Sequence, residues 1–154
     1  MDRRVGAIAA MAVALGALPA WAQWMDDAGR HGKGQGAIVV RDGAPVYEDE
    51  SSTEVIRTLK RGDAVAGLHR VAIVFQYEFV EENGRVRVIY PVKGKSKAES
   101  GWMDPDDLST FTYSCGCEDE CIPWSASFGP TRYNPCFQEA RDEKLDKLRA
   151  IWAK

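Results

Sequence analysis

The sequence has few of the residues on which catalysis most often depends, and it lacks the motifs that would organise them. Only two histidines occur among 154 residues. His31 has no flanking partner for a metal, and His69 has no serine or cysteine nucleophile in a recognisable setting, so we interpret both as solvated or structural. Phosphate-binding, dinucleotide-binding, haem-attachment and zinc-protease motifs are all missing. We therefore expect a protein that is not an enzyme, with no catalytic residues, no cofactor and no metal site.

Charge of one sign is not concentrated anywhere in the chain. The 20 lysines and arginines are interspersed with 23 aspartates and glutamates, and the formal net charge is −3. A protein that binds nucleic acid usually carries a basic block or stripe. We expect no nucleic-acid partner.

The longest apolar run lies at the N-terminus and is shorter than a membrane span, which needs about 20 apolar residues. Arg3 and Arg4 precede the run from Val5 to Leu18, and Ala20-Trp21-Ala22 offers a small-x-small cleavage site before Gln23. This arrangement is typical of a secretory signal peptide. We predict that residues 1–22 are removed, that the mature protein is periplasmic or secreted, and that it is not an integral membrane protein.

The mature chain begins with a segment rich in glycine and charge and then changes to a β pattern. Residues 23–36 show no hydrophobic period and are predicted to form a flexible leader. From Arg70 to Val80 apolar residues alternate along the longest predicted strand, and Asn83-Gly84 is a strong hairpin signal. The other predicted strands are 37–40, 46–47, 55–59, 65–68, 85–91 and 111–113, with a 3₁₀ turn at 104–108. Short strands with a turn between each predict a small barrel or sandwich over residues 37–113.

Residues 114–154 form a region of different composition, with a cysteine-rich loop followed by a helix. Asn134-Pro135 provides an N-cap and a first helical residue. We expect the apolar stripe of this helix to dock on the β domain. The stripe consists of Phe137, Ala140, Leu145, Leu148, Ile151 and Trp152.

The four cysteines are the only constellation with chemical potential. In an oxidising compartment Cys115, Cys117, Cys121 and Cys136 are expected to form two disulfides. A Cys115–Cys117 bridge would be strained, so we favour Cys115–Cys136 with Cys117–Cys121, while the third pairing stays open. The alternative is a thiol-based redox or metal-handling protein that uses the same cysteines.

Three short stretches, taken in order, resemble the bacterial SH3 (SH3b) domain family over about residues 37–108. They are Val40-Arg41-Asp42-Gly43-Ala44-Pro45-Val46-Tyr47, the segment from Val55-Ile56-Arg57-Thr58-Leu59 through Gly62 to Val65, and Gly101-Trp102-Met103-Asp104 with Leu108. The resemblance implies a small SH3-like β-barrel, here extended by a disulfide-stapled loop and one C-terminal α-helix.

The resemblance also implies a function, because family members that bind use a groove beside the long loop and the 3₁₀ turn. Their usual targets are cell-wall peptide or a protein partner. We therefore expect a non-catalytic binding module of the cell envelope that recognises peptidoglycan or an envelope protein. Its oligomeric state is not determined by the sequence. The residues at matching places are Tyr47, Glu48, Tyr90, Trp102 and Asp104.

Overall fold

The computed structural model describes residues 33–95, 97–114, 123 and 134–154. The predicted signal peptide, residues 23–32 of the predicted leader, and Cys115, Cys117 and Cys121 lie outside this part of the chain. Within the described ranges, none of the helical structure is both long enough and apolar enough to cross a membrane.

The fold is mainly β, with one C-terminal helix, as predicted. Its strands are β1 (Lys33–Val39), β2 (Ala44–Tyr47), β3 (Val55–Leu59), β4 (Ala64–Gly67), β5 (His69–Val71), β6 (Val74–Gln76), β7 (Glu81–Glu82), β8 (Arg85–Tyr90), β9 (Glu99–Met103) and β10 (Leu108–Ser114). A 3₁₀ turn (Pro105–Asp107) precedes β10, and helix α1 spans Pro135–Trp152.

The main sheet is antiparallel and follows the order β10-β1-β4-β8-β9-β2-β3, with β7 added to β8. Among the described residues no pairing joins β3 to β10, so the sheet is not closed into the barrel that the sequence led us to expect. Helix α1 contacts β1 and β10 instead, and it buries apolar side chains at that end of the sheet.

Along β2, β8 and β9 the core lies on one face of the sheet and burial alternates, whereas in β1 and β4 successive residues are buried on both faces. In β8, Val86, Val88 and Tyr90 are buried while the residues between them are partly exposed, as the period of two predicted. Leu59 and Val65, on either side of the β3–β4 turn, are also buried. Apolar burial of this kind is the main driving force for folding.

Strand β1 begins four residues earlier than predicted, which corrects the leader boundary. Lys33 pairs with Ser114 at the start of a continuous β1–β10 ladder. Glycines obscured the strand because they contribute no hydrophobic period, yet they are needed here. A Cβ at Gly34 would collide with the Tyr113 ring, and one at Gly36 would lie 2.5 Å from Phe111 Cζ. The aromatic rings pack directly on the backbone of β1.

The single long strand predicted from Arg70 to Val80 is wrong. The chain turns at Ala72-Ile73, so that β5 and β6 form a separate two-stranded hairpin with Val71 opposite Val74. Ala72 adopts a φ of +54°, which an alternating strand pattern does not anticipate. Residues 77–80 form no strand.

The predicted hairpin turn at Asn83-Gly84 and the predicted 3₁₀ turn are confirmed. Asn83 and Gly84 both have positive φ in the turn before β8, and Gly62 has a φ of +98° in the turn after β3. Asp104 caps the 3₁₀ turn by accepting a hydrogen bond from Asp106 N at 2.9 Å.

Helix α1 starts at the predicted residue and docks on the sheet, but the predicted apolar stripe is wrong at Ile151, which is exposed and outside the core. The Asn134 side chain accepts a hydrogen bond from Cys136 N at 2.8 Å. Phe137 is fully buried, and its ring centroid lies 5.4 Å from that of Phe111 and 5.0 Å from that of Tyr113. Near the other end, the Arg61 guanidinium lies 4.6 Å from the Trp152 ring centroid.

Candidate functional site

The face of the sheet opposite the core brings two aromatic residues and two arginines together. Strand alternation turns Val46, Met103 and Val86 inward, so that Tyr47, Trp102, Arg85 and Arg87 point outward. We call these four residues the aromatic–arginine face.

Their neighbourhood follows from strand register. Trp102 of β9 pairs with Tyr47 of β2 on one side and with Arg87 of β8 on the other. Directly opposite residues on one face of a sheet have Cβ atoms about 4.5–5.5 Å apart, so the three side chains form a row across the strands. Both aromatic residues are partly exposed. The row therefore meets solvent.

Arg85 links this row to the loop between β2 and β3. Its guanidinium carbon lies 3.5 Å from the Tyr47 ring centroid. Its Nη1 donates to the carbonyl oxygens of Asp49 at 3.1 Å and Ser52 at 2.6 Å. These contacts fix the Tyr47 ring and the loop in one arrangement before any ligand arrives.

A shallow cleft of about 130 Å³ lies beside Trp102 and Arg87. Its other walls come from Leu68, His69, Arg70, Val80 and Glu82. Cavities that enclose a whole small molecule measure about 300–1,000 Å³. This cleft can admit a single group from a larger ligand lying across the face, but not an entire substrate.

Arg87 has positive charge available for a ligand. Its Nη2 reaches only Ser100 Oγ, at 3.5 Å, and among the described residues it forms no ion pair. By contrast, His69 Nδ1 lies 2.7 Å from Glu78 Oε1, so that pair already satisfies itself. Arg87 is the guanidinium best placed to donate hydrogen bonds to a carboxylate of a ligand.

The loop that follows Tyr47 is acidic. The pKa of Glu48 is raised by a hydrogen bond with the side chain of Glu54 and by the negative charge of that residue. The pKa of Asp49 is lowered because its carboxylate accepts the backbone N–H groups of Ser51 and Ser52. Glu48 is exposed, at the edge of the aromatic–arginine face.

The remaining two predicted site residues lie elsewhere. Only 1% of Tyr90 is exposed, and it faces the core, where burial raises the pKa of its hydroxyl. Asp104 is exposed, but its side chain caps the 3₁₀ turn. Tyr47 and Trp102 are therefore neighbours, and Glu48 lies beside them on the following loop. Tyr90 is buried in the core.

Sequence reasoning missed Arg85 and Arg87. Arginines that alternate with valines on a strand are typical of a solvated face, and only the register with β9 places them beside Trp102. The signal that could have identified them is in β8, where two successive outward positions are both arginine.

No group of three or more histidines, cysteines, aspartates or glutamates that could hold a metal ion occurs in the described ranges. Cys136 forms no disulfide with any described residue. Because its three potential partners lie outside those residues, the predicted pairing, and the redox or metal alternative, stay predictions.

Comparison with known proteins adds no assignment: the chain matches no protein-family model, no curated protein and no solved structure.

Proposed function

We propose that this protein is an exported, non-catalytic binding module of the bacterial cell envelope, built on an open SH3-like sheet. Its targets are peptidoglycan or an envelope protein, and peptidoglycan is the better chemical match. The observation that carries the proposal is the row formed by Tyr47, Trp102 and Arg87, with Arg85 held over the Tyr47 ring.

Peptidoglycan combines two kinds of group that this face can bind. The apolar C–H faces of its sugar rings can stack on the partly exposed Trp102 ring and on the side of the Tyr47 ring that Arg85 does not cover. Both side chains join an apolar body to a polar tip. Carboxylates of its stem peptides can accept charge-assisted hydrogen bonds from Arg87. The small cleft beside Trp102 would receive one such group while the polymer runs across the face.

The rigidity of the face supports a binding role. Arg85 is already hydrogen-bonded to two loop carbonyls and stacked on Tyr47, so little side-chain freedom is lost there when a ligand binds. Exposed aromatic side chains next to arginines are also the residues enriched at binding hot spots.

The test is retention of the processed protein on purified peptidoglycan sacculi. A Tyr47→Ala/Trp102→Ala double variant should bind at least about tenfold more weakly, because it removes both stacking surfaces. Arg87→Gln should weaken binding about threefold to tenfold, and the difference from wild type should shrink as salt is raised.

Lys147→Gln, on helix α1, is the matched control, because it removes one exposed positive charge far from the face in sequence. If Arg87→Gln and Lys147→Gln lose retention equally, the protein binds sacculi only through non-specific charge attraction. Retention that is unchanged in the Tyr47→Ala/Trp102→Ala variant would overturn the proposed site. Failure to bind sacculi, together with cross-linking of the same face to an envelope protein, would identify the other target.

A further inference from the structure

The hairpin from His69 to Gln76 exposes an apolar tip that the binding face does not explain. The exposed fractions are 39% for Val71, 91% for Ile73, 49% for Val74 and 51% for Phe75. With Ala72, these residues form an uninterrupted apolar stretch of five at the end of a two-stranded hairpin. We call this stretch the apolar tip.

The turn is unusual for a tip that meets only water. Two-residue hairpin turns usually carry Asn, Asp or Gly, which accept positive φ and are polar or small. Here Ala72 has a φ of +54° and Ile73 follows it with almost its whole surface exposed. Apolar exposure disfavours the free state, and an apolar environment at the tip would remove that cost.

We propose that the apolar tip inserts into the interfacial region of a phospholipid membrane. The distribution of its apolar side chains favours lipid over a protein groove. A groove covers one side of a ligand, whereas all five residues of the tip, on both faces of the hairpin, are exposed and apolar. A fluid apolar medium can cover every side at once.

The length of the hairpin agrees with a shallow insertion. Three residues per strand extend about 10 Å, and amphipathic elements at a membrane interface bury their apolar part by about 5–10 Å. The base of the hairpin is anchored to the main sheet, because Gln35 N donates to Tyr77 O at 2.8 Å and Gln35 Oε1 accepts from Phe79 N at 2.8 Å.

Arg70 supplies the polar features that insertion requires. Its Nε donates to Ala72 O at 3.2 Å, so the turn carbonyl nearest the lipid keeps a hydrogen-bond partner. Its long side chain can place the rest of the guanidinium at the level of the lipid phosphates. From Arg70 to Gln76 the only charged residue is this cation, which complements an anionic surface.

Vesicle flotation of the processed protein tests the proposal. We expect the wild-type protein to float with phosphatidylcholine vesicles, and more strongly when phosphatidylglycerol is added. Ile73→Ser/Phe75→Ser should lower the partition coefficient at least about 30-fold, since two large exposed side chains lose their apolar environment. Both positions are exposed, so the fold should be unaffected, and circular dichroism will check this.

Ile151→Ser is the matched control, because Ile151 is 62% exposed on helix α1 and lies outside the hairpin. Its flotation should equal that of the wild type. In addition, brominated lipid should quench a tryptophan at position 73 (Ile73→Trp) but not one at position 151 (Ile151→Trp).

Three results would overturn the proposal: no flotation of the wild-type protein, equal losses in the hairpin variant and the control, or cross-linking of the tip to a protein without vesicle binding. The outcome is separable from peptidoglycan binding, since the hairpin variant leaves Tyr47, Trp102 and Arg87 intact.

Discussion

Replacement of Phe137 by alanine tests the packing of helix α1 on the sheet. Phe137 is fully buried, and its ring contacts those of Phe111 and Tyr113. Truncation of a buried phenylalanine costs about 3–5 kcal/mol, from lost apolar burial and from the cavity left behind. We expect a loss near the middle of that range, about 4 kcal/mol.

This loss is large relative to the total free energy of unfolding. A domain of this size is stable by about 5–15 kcal/mol, so Phe137→Ala should shift the urea midpoint strongly while the slope of the transition stays near that of the wild type. Ile151→Ala on the same helix should change stability by no more than about 0.5 kcal/mol, because Ile151 is exposed. That variant controls for the gain in helix propensity that alanine brings.

A double-mutant cycle with Gly36→Ala makes the test specific to this contact. A Cβ at position 36 would lie 2.8 Å from Phe137 Cε2 and 2.5 Å from Phe111 Cζ, so overpacking should cost about 2 kcal/mol. In the Phe137→Ala background one of the two clashes is gone, and the cost should fall by about 1 kcal/mol. Additive effects, or a Phe137→Ala loss below about 1 kcal/mol, would refute the docking of α1 through this residue.

Two further predictions concern the edges of the core. Glu99 accepts hydrogen bonds from Arg57 at 2.9 and 3.1 Å and forms an ion pair with Lys95. These contacts lower the pKa of the Glu99 carboxyl. Because the site is partly exposed, Glu99→Gln should lower the free energy of unfolding by about 1–2 kcal/mol at neutral pH. A folded-state pKa below the unfolded-state value stabilises the fold fully above the unfolded-state pKa, and this contribution is lost as pH falls through the lowered folded-state pKa. In thermal melts the difference should therefore begin to shrink near pH 4.5 and vanish at more acidic pH; a pH-independent difference contradicts the ion-pair account. Gly101→Ala should cost about 1–3 kcal/mol, since a Cβ would collide with Val46 Cγ1, and Val46→Ala should reduce that cost in denaturant titrations; a cost unaffected by Val46→Ala contradicts the packing account.

Local sequence signals predicted the parts of the fold whose causes are local. The residue types Asn83-Gly84 favour a tight turn, and Asn134-Pro135 favour a helix N-terminus. Both features were predicted at the correct positions. The alternation in β8 also identified its buried face, because a period of two has one solution once one side is apolar.

The errors arose where contacts between residues far apart in sequence determine the local structure. Gly34 and Gly36 read as a flexible leader until Tyr113 and Phe111 are seen to occupy the space of their missing side chains. The alternation from Arg70 to Val80 had no way to show that the chain reverses at Ala72. Whether the sheet closes into a barrel depends on pairing between its edge strands, β10 and β3, and no short sequence pattern predicts that pairing.

The candidate site was predicted only in part for the same reason. Tyr47 and Trp102 were identified through the family resemblance, and the sheet makes them neighbours. Tyr90 was assigned to the groove, but the alternation of β8 already placed it with Val86 and Val88 on the buried side. Arg87 joins the site solely through its pairing with Trp102.

The position of β1 between β4 and β10 has a consequence for how the chain reaches its final form. The first strand of the described domain pairs along its whole length with the last one, so the sheet stays incomplete until Ser114 has been made. Contacts between residues far apart in sequence close slowly, because the intervening loop must first lose its freedom. A nascent chain with this topology therefore cannot complete its sheet until most of the described domain has been synthesised.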